Sequence, residues 1–329
     1  MLNVAVVGLG WWGKIIVGTL KASSKLRVAR AVDPDPEAAA FAAERGIRVS
    51  GDLADALDDP GITGVVLCTP HSLHTQQIAR AAAAKKHVFC EKPLALRKSE
   101  AEASIQLCNG RGVVLAVGHE RRFEPPMLEV KRLALSGELG TLLQIETGFS
   151  QDKFLSLAAD NWRLSTSEAP AGPMTATGIH QLDLAVGLLG TADRVFASVR
   201  RLGSNLANGD TLGVLVNFKS GANLLLSAVL ATPFAGRFAV FGNRGWVEVR
   251  DKAHPEAPEG WVLTKCLRGG TPETQDYSPG FAVRANLEAF ADAAEGRAPY
   301  PVPQAEMIAN IAALEAIFRS AESGRVEAV

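Results

Sequence analysis

Short apolar segments alternate with helical segments up to about residue 117, and this alternation constrains the fold more than any other feature of the sequence. Each apolar segment is rich in β-branched residues and is followed by a stretch with helical periodicity. Strands that alternate with helices at this spacing form a parallel sheet covered by helices on both faces. We predict strands at residues 3–7, 27–32, 47–49, 64–68, 87–90 and 113–117, with helices at 11–22, 36–45, from about 52, 73–84 and 99–109.

The pattern changes after about residue 120, where strands begin to follow one another directly. The turns Asn208-Gly209 and Lys219-Ser220-Gly221 suit antiparallel hairpins. The sequence therefore predicts two domains: an α/β domain at residues 1–120 and an α+β domain with a large, mostly antiparallel open sheet at residues 121–329. The elements predicted for the second domain are helices at 125–135, 178–189, 281–295 and 304–323 and strands at 142–148, 195–202, 211–218, 223–229, 238–241 and 246–249.

The composition is that of a globular protein and gives no sign of a charged partner. Lysine and arginine total 34 and aspartate and glutamate 35, so the formal net charge is −1. A nearly neutral chain gives no electrostatic reason to expect nucleic acid or an anionic membrane as a partner. No apolar run reaches membrane-spanning length and no secretory leader is evident. We therefore expect a cytoplasmic protein.

Neither the cysteines nor the histidines indicate a metal site. His71 and His74 have H-x-x-H spacing, but no carboxylate or thiolate accompanies them at suitable positions, so we predict no metal. No two cysteines form a C-x-x-C pair, and we interpret all of them as free thiols: Cys68, Cys90, Cys108 and Cys266.

A glycine-rich loop follows the first predicted strand and opens the first predicted helix. It runs Gly8-Leu9-Gly10-Trp11-Trp12-Gly13 and matches G-x-G-x-x-G, the loop that lets backbone amides approach a pyrophosphate. Asp33 ends the second strand, where an acid accepts hydrogen bonds from the adenosine ribose. The residues after it offer no cation for a 2′-phosphate, so NAD is predicted over NADP, and Arg30, earlier on the same strand, is the residue that favours NADP. The alternative is a generic strand–turn–helix with a surface aspartate.

Two further motifs follow predicted strands of the same sheet. Thr69-Pro70 begins a turn that reaches His74, and Glu91-Lys92-Pro93 follows the fifth strand. Ligands of doubly wound folds bind at the carboxyl ends of the strands. A lysine held there beside an oxidised nicotinamide ring loses proton affinity, which suits it to proton transfer near neutral pH. The alternative, a solvated surface lysine, fits this setting less well.

With these motifs in place, the sequence resembles the glucose–fructose oxidoreductase / inositol dehydrogenase / MocA family over essentially its whole length. The resemblance implies an N-terminal Rossmann domain for the dinucleotide and a C-terminal domain for substrate binding and oligomerisation. The motifs that carry it are the loop at 8–13, Thr69 to His74, Glu91-Lys92-Pro93, Arg122-Phe123, Asn161-Trp162-Arg163 and Gly178-Ile179-His180-Gln181-Leu182-Asp183.

The resemblance also implies roles for individual residues. Lys92 and His180 would be catalytic, and the Lys92–Pro93 peptide bond would be cis. Lys92, Arg122, His180 and Asp183 would contact a small-molecule substrate, namely a sugar, cyclitol or related polyol. Open sheets of this kind often pair face to face, so we also expect a homodimer or homotetramer. The residues implied in binding the cofactor are Gly8, Gly10, Trp11, Trp12, Gly13, Asp33, Thr69, Pro70, His74, Glu91, Lys92, Trp162 and Arg163.

One position departs from the family pattern. The family usually carries an aspartate four residues before the histidine of the Gly-x-His motif, and here that position is Ala176. His180 therefore lacks the carboxylate that would raise its pKa, unless Thr175, Thr177 or an acid from elsewhere replaces it.

Three alternatives remain open at this point. The chain could bind the dinucleotide as a signal and regulate without catalysis. It could act on a cyclic dihydrodiol or an imine instead of a sugar. Arg122 and Asp183 could form a structural ion pair instead of contacting the substrate.

Overall fold

The computed structural model describes residues 1–329, and the chain divides into two compact units. The first contains residues 1–120 and 283–308, and the second contains residues 121–282 and 309–329. Residues 283–308, near the C-terminus, therefore lie with the first unit. The domain ranges predicted from sequence, 1–120 and 121–329, placed them in the second domain.

The first unit is built on a six-stranded, fully parallel sheet. Its strand order is β3-β2-β1-β4-β5-β6, the doubly wound order of dinucleotide-binding folds. The elements are β1 (Leu2–Val7), α1 (Trp11–Leu20), β2 (Leu26–Val32), α2 (Pro36–Ala43), β3 (Arg48–Ser50), α3 (Ala54–Leu57), β4 (Gly64–Leu67), α4 (His74–Ala83), β5 (His87–Cys90), α5 (Lys98–Arg111) and β6 (Leu115–Val117).

The second unit contains a nine-stranded sheet that is mostly antiparallel. Its order is β14-β13-β12-β11-β7-β10-β9-β8-β15, and β7 and β10 form its one parallel pair. The predicted fold class is thereby confirmed. The remaining elements of the chain are α6 (Pro125–Leu135), β7 (Leu142–Ser150), α7 (Ile179–Leu189), β8 (Ala192–Arg200), β9 (Thr211–Phe218), β10 (Asn223–Val229), β11 (Ala235–Gly242), β12 (Gly245–Asp251), β13 (Trp261–Leu267), β14 (Glu273–Tyr277), α8 (Ala282–Ala294), α9 (Gln304–Ser323) and β15 (Glu327–Ala328).

Helix α8 joins the first unit because its apolar face completes the core of the parallel sheet. Leu287 and Phe290 are fully buried in the same cluster as Val4 and Val6 of β1. The rings of Phe290 and Phe89 on β5 meet edge to face with centroids 5.8 Å apart. None of the nine helices combines the length and the apolar sequence needed to cross a membrane.

The sequence analysis missed three strands of the second sheet. Strand β14 reads Glu-Thr-Gln-Asp-Tyr and is mostly exposed at the sheet edge, so it has no apolar alternation to detect. Strands β13 and β15 were also not predicted. The turn at Asn208-Gly209 is the end of a longer connection between β8 and β9, in which Asn208 is buried.

Candidate active site

The loop after β1 has the geometry of a phosphate-binding turn. Gly8 has a φ of +87°, and a Cβ there would lie 2.8 Å from the carbonyl oxygen of Cys68. A Cβ on Gly13 would lie 1.9 Å from the Gly8 carbonyl oxygen, so both positions require glycine. Gly10 faces open space at the N-cap of α1, and no side chain caps the first amides of this helix. Because such amides bind phosphate oxygens, the loop fits the pyrophosphate of a dinucleotide.

Asp33, directly after β2, holds this loop through its carboxylate. Oδ2 accepts a hydrogen bond from the Leu9 N–H at 2.6 Å, and Oδ1 accepts one from the Asp35 N–H at 2.9 Å. Each carboxylate oxygen has two lone pairs, so Asp33 retains acceptor capacity for a ribose hydroxyl. Arg30 donates to Asp59 at 3.2 Å and is engaged in that ion pair.

The two tryptophans of the loop have different surroundings. Trp12 packs against the core of the first unit, and its indole N–H points to the Glu91 carboxyl group without a well-aligned hydrogen bond. Trp11 is 40% exposed. The sequence assigned both residues to cofactor binding. In the structure Trp12 forms a wall of the loop, whereas Trp11 lies at the surface.

Glu91 is a buried carboxyl group directly before Lys92. Its Oε2 accepts a hydrogen bond from the Lys92 N–H at 3.3 Å. Gly118, after β6, leaves room for it, because a Cβ there would lie 2.5 Å from the same oxygen. Burial raises the pKa of Glu91 to about 7, and the Trp12 N–H and the charge of Lys92 limit the rise. This carboxyl group therefore titrates near neutral pH beside the predicted acid/base.

His74, the first residue of α4, joins the turn after β4 to the turn after β5. The side chain is fully buried. Its Nδ1 lies 2.8 Å from the Pro93 carbonyl oxygen and its Nε2 lies 3.1 Å from the Thr69 carbonyl oxygen. The Lys92–Pro93 peptide bond is cis, as predicted.

In the first unit the structure thus brings the residues predicted to form the site to the carboxyl ends of neighbouring strands. The glycine loop follows β1, the turn from Thr69 through Pro70 to His74 follows β4, and Lys92 follows β5. These three strands are neighbours in the parallel sheet, so their carboxyl ends lie side by side.

In the second unit, His180 lies in the first turn of α7. It is 7% exposed, and its ring centroid lies 6.2 Å from that of Phe149 on β7. The next residue, Gln181, accepts a hydrogen bond from the Thr147 hydroxyl at 2.5 Å, which ties α7 to β7. A π-helical turn, Met174–Gly178, precedes the helix, a feature frequent at functional sites.

Ala176, at the position of the absent acid, lies in this π-helical turn. Its methyl group packs against a small apolar cluster in the second unit. The cluster consists of Phe154, Leu164, Leu206 and Leu230.

Arg122 and Asp183 form a bidentate ion pair. Arg122 Nε donates to Asp183 Oδ2 at 2.6 Å, and Nη2 donates to Oδ1 at 2.8 Å. Asp183 is 1% exposed, and Gly187 leaves room for the guanidinium one turn further along α7. The ion pair that the sequence left open is therefore present, and a role for these residues in substrate binding stays a prediction.

Trp162 and Arg163 stack on each other in a single helical turn. The guanidinium carbon of Arg163 lies 4.3 Å from the Trp162 ring centroid, and the Asn161 side chain caps the turn by accepting from the Arg163 N–H. The buried Asn208 side chain donates to the carbonyl oxygens of Arg163 and Ala169, both at 2.8 Å. The loop between β8 and β9 therefore holds the Trp162–Arg163 segment in place.

Sequence reasoning missed one polar cluster, which is centred on His254. The sequence analysis did not select this residue, whose side chain is only 14% exposed. Nε2 donates to Gln151 Oε1 at 2.6 Å, while Nδ1 accepts from Lys153 Nζ at 3.0 Å. Burial and the charge of Lys153 lower the pKa of His254 to about 4. Its ring also contacts Phe149, which packs against His180 as well.

Comparison with known proteins places both units in one family. Residues 2–119 match the GFO/IDH/MocA model described as an oxidoreductase family with an NAD-binding Rossmann fold. Residues 127–248 match the GFO/IDH/MocA C-terminal domain. Together the two models cover more than half of the chain.

Individual relatives align over nearly their whole length. D-xylose 1-dehydrogenase (NADP(+)) 2 of Haloferax volcanii is 28% identical over 98% of this chain and 97% of its own. Inositol 2-dehydrogenase 2 of Saccharopolyspora erythraea is 30% identical over 98% of this chain and 94% of its own. The crystal structure of aldose-aldose oxidoreductase from Caulobacter crescentus, complexed with glycerol, superposes with a TM-score of 0.87 at 28% identity, covering 100% of this chain and 99% of that one.

Proposed function

The chain belongs to the GFO/IDH/MocA family of NAD-binding oxidoreductases, and we propose that it transfers a hydride between NAD and a hydroxyl-bearing carbon of a sugar, cyclitol or related polyol, with Lys92 as the main acid/base. The relatives support this substrate class, because their names include xylose, inositol and aldose substrates. The observation that carries the proposal is the position of Lys92. It lies two residues after the end of β5, at the carboxyl end of the strands, where the glycine loop also lies.

The chemistry divides between the cofactor and the side chains of this chain. Bound NAD supplies the hydride acceptor. In the oxidation direction, the Lys92 amine accepts the proton of the substrate hydroxyl, and in reduction the ammonium returns it. His180 hydrogen-bonds a substrate hydroxyl and assists this transfer. Asp33 and the amides after Gly10 hold the adenosine ribose and the pyrophosphate.

The test of this proposal is the replacement of Lys92 by methionine, which keeps the length of the side chain and removes the amine. We expect kcat with the best polyol of a panel to fall by about 100-fold or more, the scale of general acid–base catalysis, while the Kd for NAD changes little. Lys98→Met, an exposed lysine six residues later, is the matched control and should retain full turnover. A Lys92→Met enzyme with near-normal kcat would remove Lys92 from the mechanism.

The same assay separates the two alternative functions. A dinucleotide-sensing regulator would bind NAD but reduce it with no member of the panel. The absence of the acid at position 176 is the one feature that favours this alternative. A dehydrogenase of cyclic dihydrodiols would turn over those substrates and leave sugars and inositols unchanged.

We also propose that the chain forms a homodimer or homotetramer through the open face of its nine-stranded sheet. Phe196, Leu215 and Leu225 lie side by side on β8, β9 and β10, and they are 41%, 37% and 42% exposed. A contiguous apolar row on an open sheet face is typical of a protein–protein contact. Light scattering should show a smaller assembly for Leu215→Lys than for the control Leu135→Lys on α6, and equal masses would contradict the proposed face. The cytoplasmic location stays a prediction.

A further inference from the structure

The turn that carries Lys92 is anchored by a buried side chain from another element, His74. We propose that His74 is a positioning residue with two separate tasks. Nδ1–H holds the Pro93 carbonyl and so fixes Lys92 for proton transfer, and Nε2–H holds the Thr69 carbonyl and so fixes the turn that faces the cofactor. This inference rests on the proposed role of Lys92.

The geometry of His74 supports the first task. Its Nδ1 contact reaches the carbonyl of Pro93, the residue directly after Lys92, at 2.8 Å. His74 begins α4, and Ile78 and Ala81 of that helix are fully buried, so the base of the imidazole side chain is fixed. Because His74 itself is fully buried, a lost hydrogen bond would leave a carbonyl oxygen without solvent to replace it.

The second task follows from the other ring nitrogen. Nε2 lies 3.1 Å from the Thr69 carbonyl, and the Thr69 hydroxyl continues the contact to Gln77 on the same helix at 2.6 Å. Carbonyl oxygens only accept, so the two bonds exist together only when both ring nitrogens carry a proton, that is, in the imidazolium form of His74. One side chain thus holds the turns after two neighbouring strands, β4 and β5.

Two isosteric substitutions separate the tasks. The Nδ2 of asparagine takes the place of histidine Nδ1, so His74→Asn keeps the donor for Pro93 and loses the donor for Thr69. The Nε2 of glutamine takes the place of histidine Nε2, so His74→Gln keeps the donor for Thr69 and loses the donor for Pro93. A residue with a merely structural role would respond to both changes in the same way.

The experiment measures kcat with the best polyol, the primary deuterium isotope effect on kcat, and the Kd for NAD by calorimetry. For His74→Gln we expect kcat to fall by about 10-fold or more, with a larger isotope effect, because small misplacements of a reacting group slow the chemical step strongly. Its Kd for NAD should stay near the wild-type value. His74→Asn should show the reverse balance: a Kd for NAD that is raised by about 10-fold and a smaller loss of kcat than in His74→Gln.

Several outcomes would overturn the inference. One is an equal loss of kcat and of NAD affinity in both variants, and another is no change in either. If His74→Gln fails to fold, His74→Asn still decides, since a kcat loss that matches its loss of affinity contradicts separate tasks. Lys92→Met is measured alongside. If Lys92→Met keeps turnover, the proposed function is contradicted. If Lys92→Met is inactive and His74→Gln is fully active, only the proposed role of His74 is contradicted.

Discussion

The buried carboxyl group of Glu91 makes the stability of this protein depend on pH in a direction that can be calculated. We consider Glu91→Gln, which keeps an oxygen acceptor for the Lys92 N–H and removes the ionisation. Glu91 is 7% exposed, and burial is the largest influence on its pKa, which rises from 4.5 to about 7. The folded chain therefore binds this proton more tightly than the unfolded chain does.

The sign and size of the effect follow from this difference. Between pH 4.5 and about 7 the unfolded carboxyl group is ionised while the folded one is still protonated. The unfolded state thus binds fewer protons, and the free energy of unfolding falls as pH rises, by about 1.4 kcal/mol per pH unit. Over the whole window the loss is about 3 kcal/mol, and it is complete above the folded pKa. Glu91→Gln lacks this slope, so its stability relative to wild type should rise by that amount between pH 4.5 and pH 8.

The assay is urea unfolding of the cofactor-free protein at several pH values across this window. Glu102→Gln is the matched control, because Glu102 is a solvent-facing glutamate whose side chain is 41% exposed. Its stability difference from wild type should not vary with pH. A constant difference between Glu91→Gln and wild type would refute the argument, because it would show that Glu91 has the same proton affinity in the folded and unfolded chain.

Three further predictions concern the cofactor, the histidine and the second unit. A 2′-phosphate near Asp33 costs on the order of 1–4 kcal/mol, so kcat/KM should favour NAD over NADP by about 10-fold or more, and an equal or inverse ratio would contradict this. His180→Ala should lower kcat less than Lys92→Met, and pH profiles of kcat/KM should show a shift for Ala176→Asp; equal losses in the first two variants would show that another group has replaced the acid. Asn208→Ala leaves one buried and one partly buried carbonyl oxygen without this donor and should lower the free energy of unfolding by about 2–4 kcal/mol in urea titrations, while an unchanged midpoint would show that these bonds are dispensable.

The first sheet could be predicted because its strands β1, β4, β5 and β6 are largely buried on both faces. A strand such as β4 is a continuous apolar run. The glycine loop indicates the end of β1 and the start of α1. The second sheet could be predicted only in part. Strands β9 and β10 alternate buried and exposed residues and were found, whereas β14 is a polar edge strand whose pairing with β13 is set by the neighbouring strand. Local sequence carries no information on such pairing.

The candidate site shows the same division. Residues inside motifs, such as Lys92 and Asp33, could be selected from sequence because their spacing to a strand end is fixed. For Arg122 and Asp183, the sequence left two possibilities open, an ion pair or contact with the substrate, because 61 residues separate them along the chain. His254 could not be selected at all. Its partner Gln151 lies 103 residues away, and only the folded sheet brings the two together and excludes water from the imidazole.

Ala176 occupies the position where the resemblance implies an aspartate, and its surroundings in the structure are largely apolar. The partly buried methyl group packs against the cluster that includes Phe154 and Leu206, so a carboxylate here would be partly desolvated. A carboxylate that ionises here and reaches the imidazole would favour the protonated form of His180, which is why Ala176→Asp is expected to shift the pH profile of kcat/KM. In this chain Ala176 makes apolar contacts where a carboxylate would hydrogen-bond, and the ring of His180 packs against Phe149. In the proposed mechanism proton transfer then depends on Lys92, whose turn is held by Glu91 and His74 within its own unit.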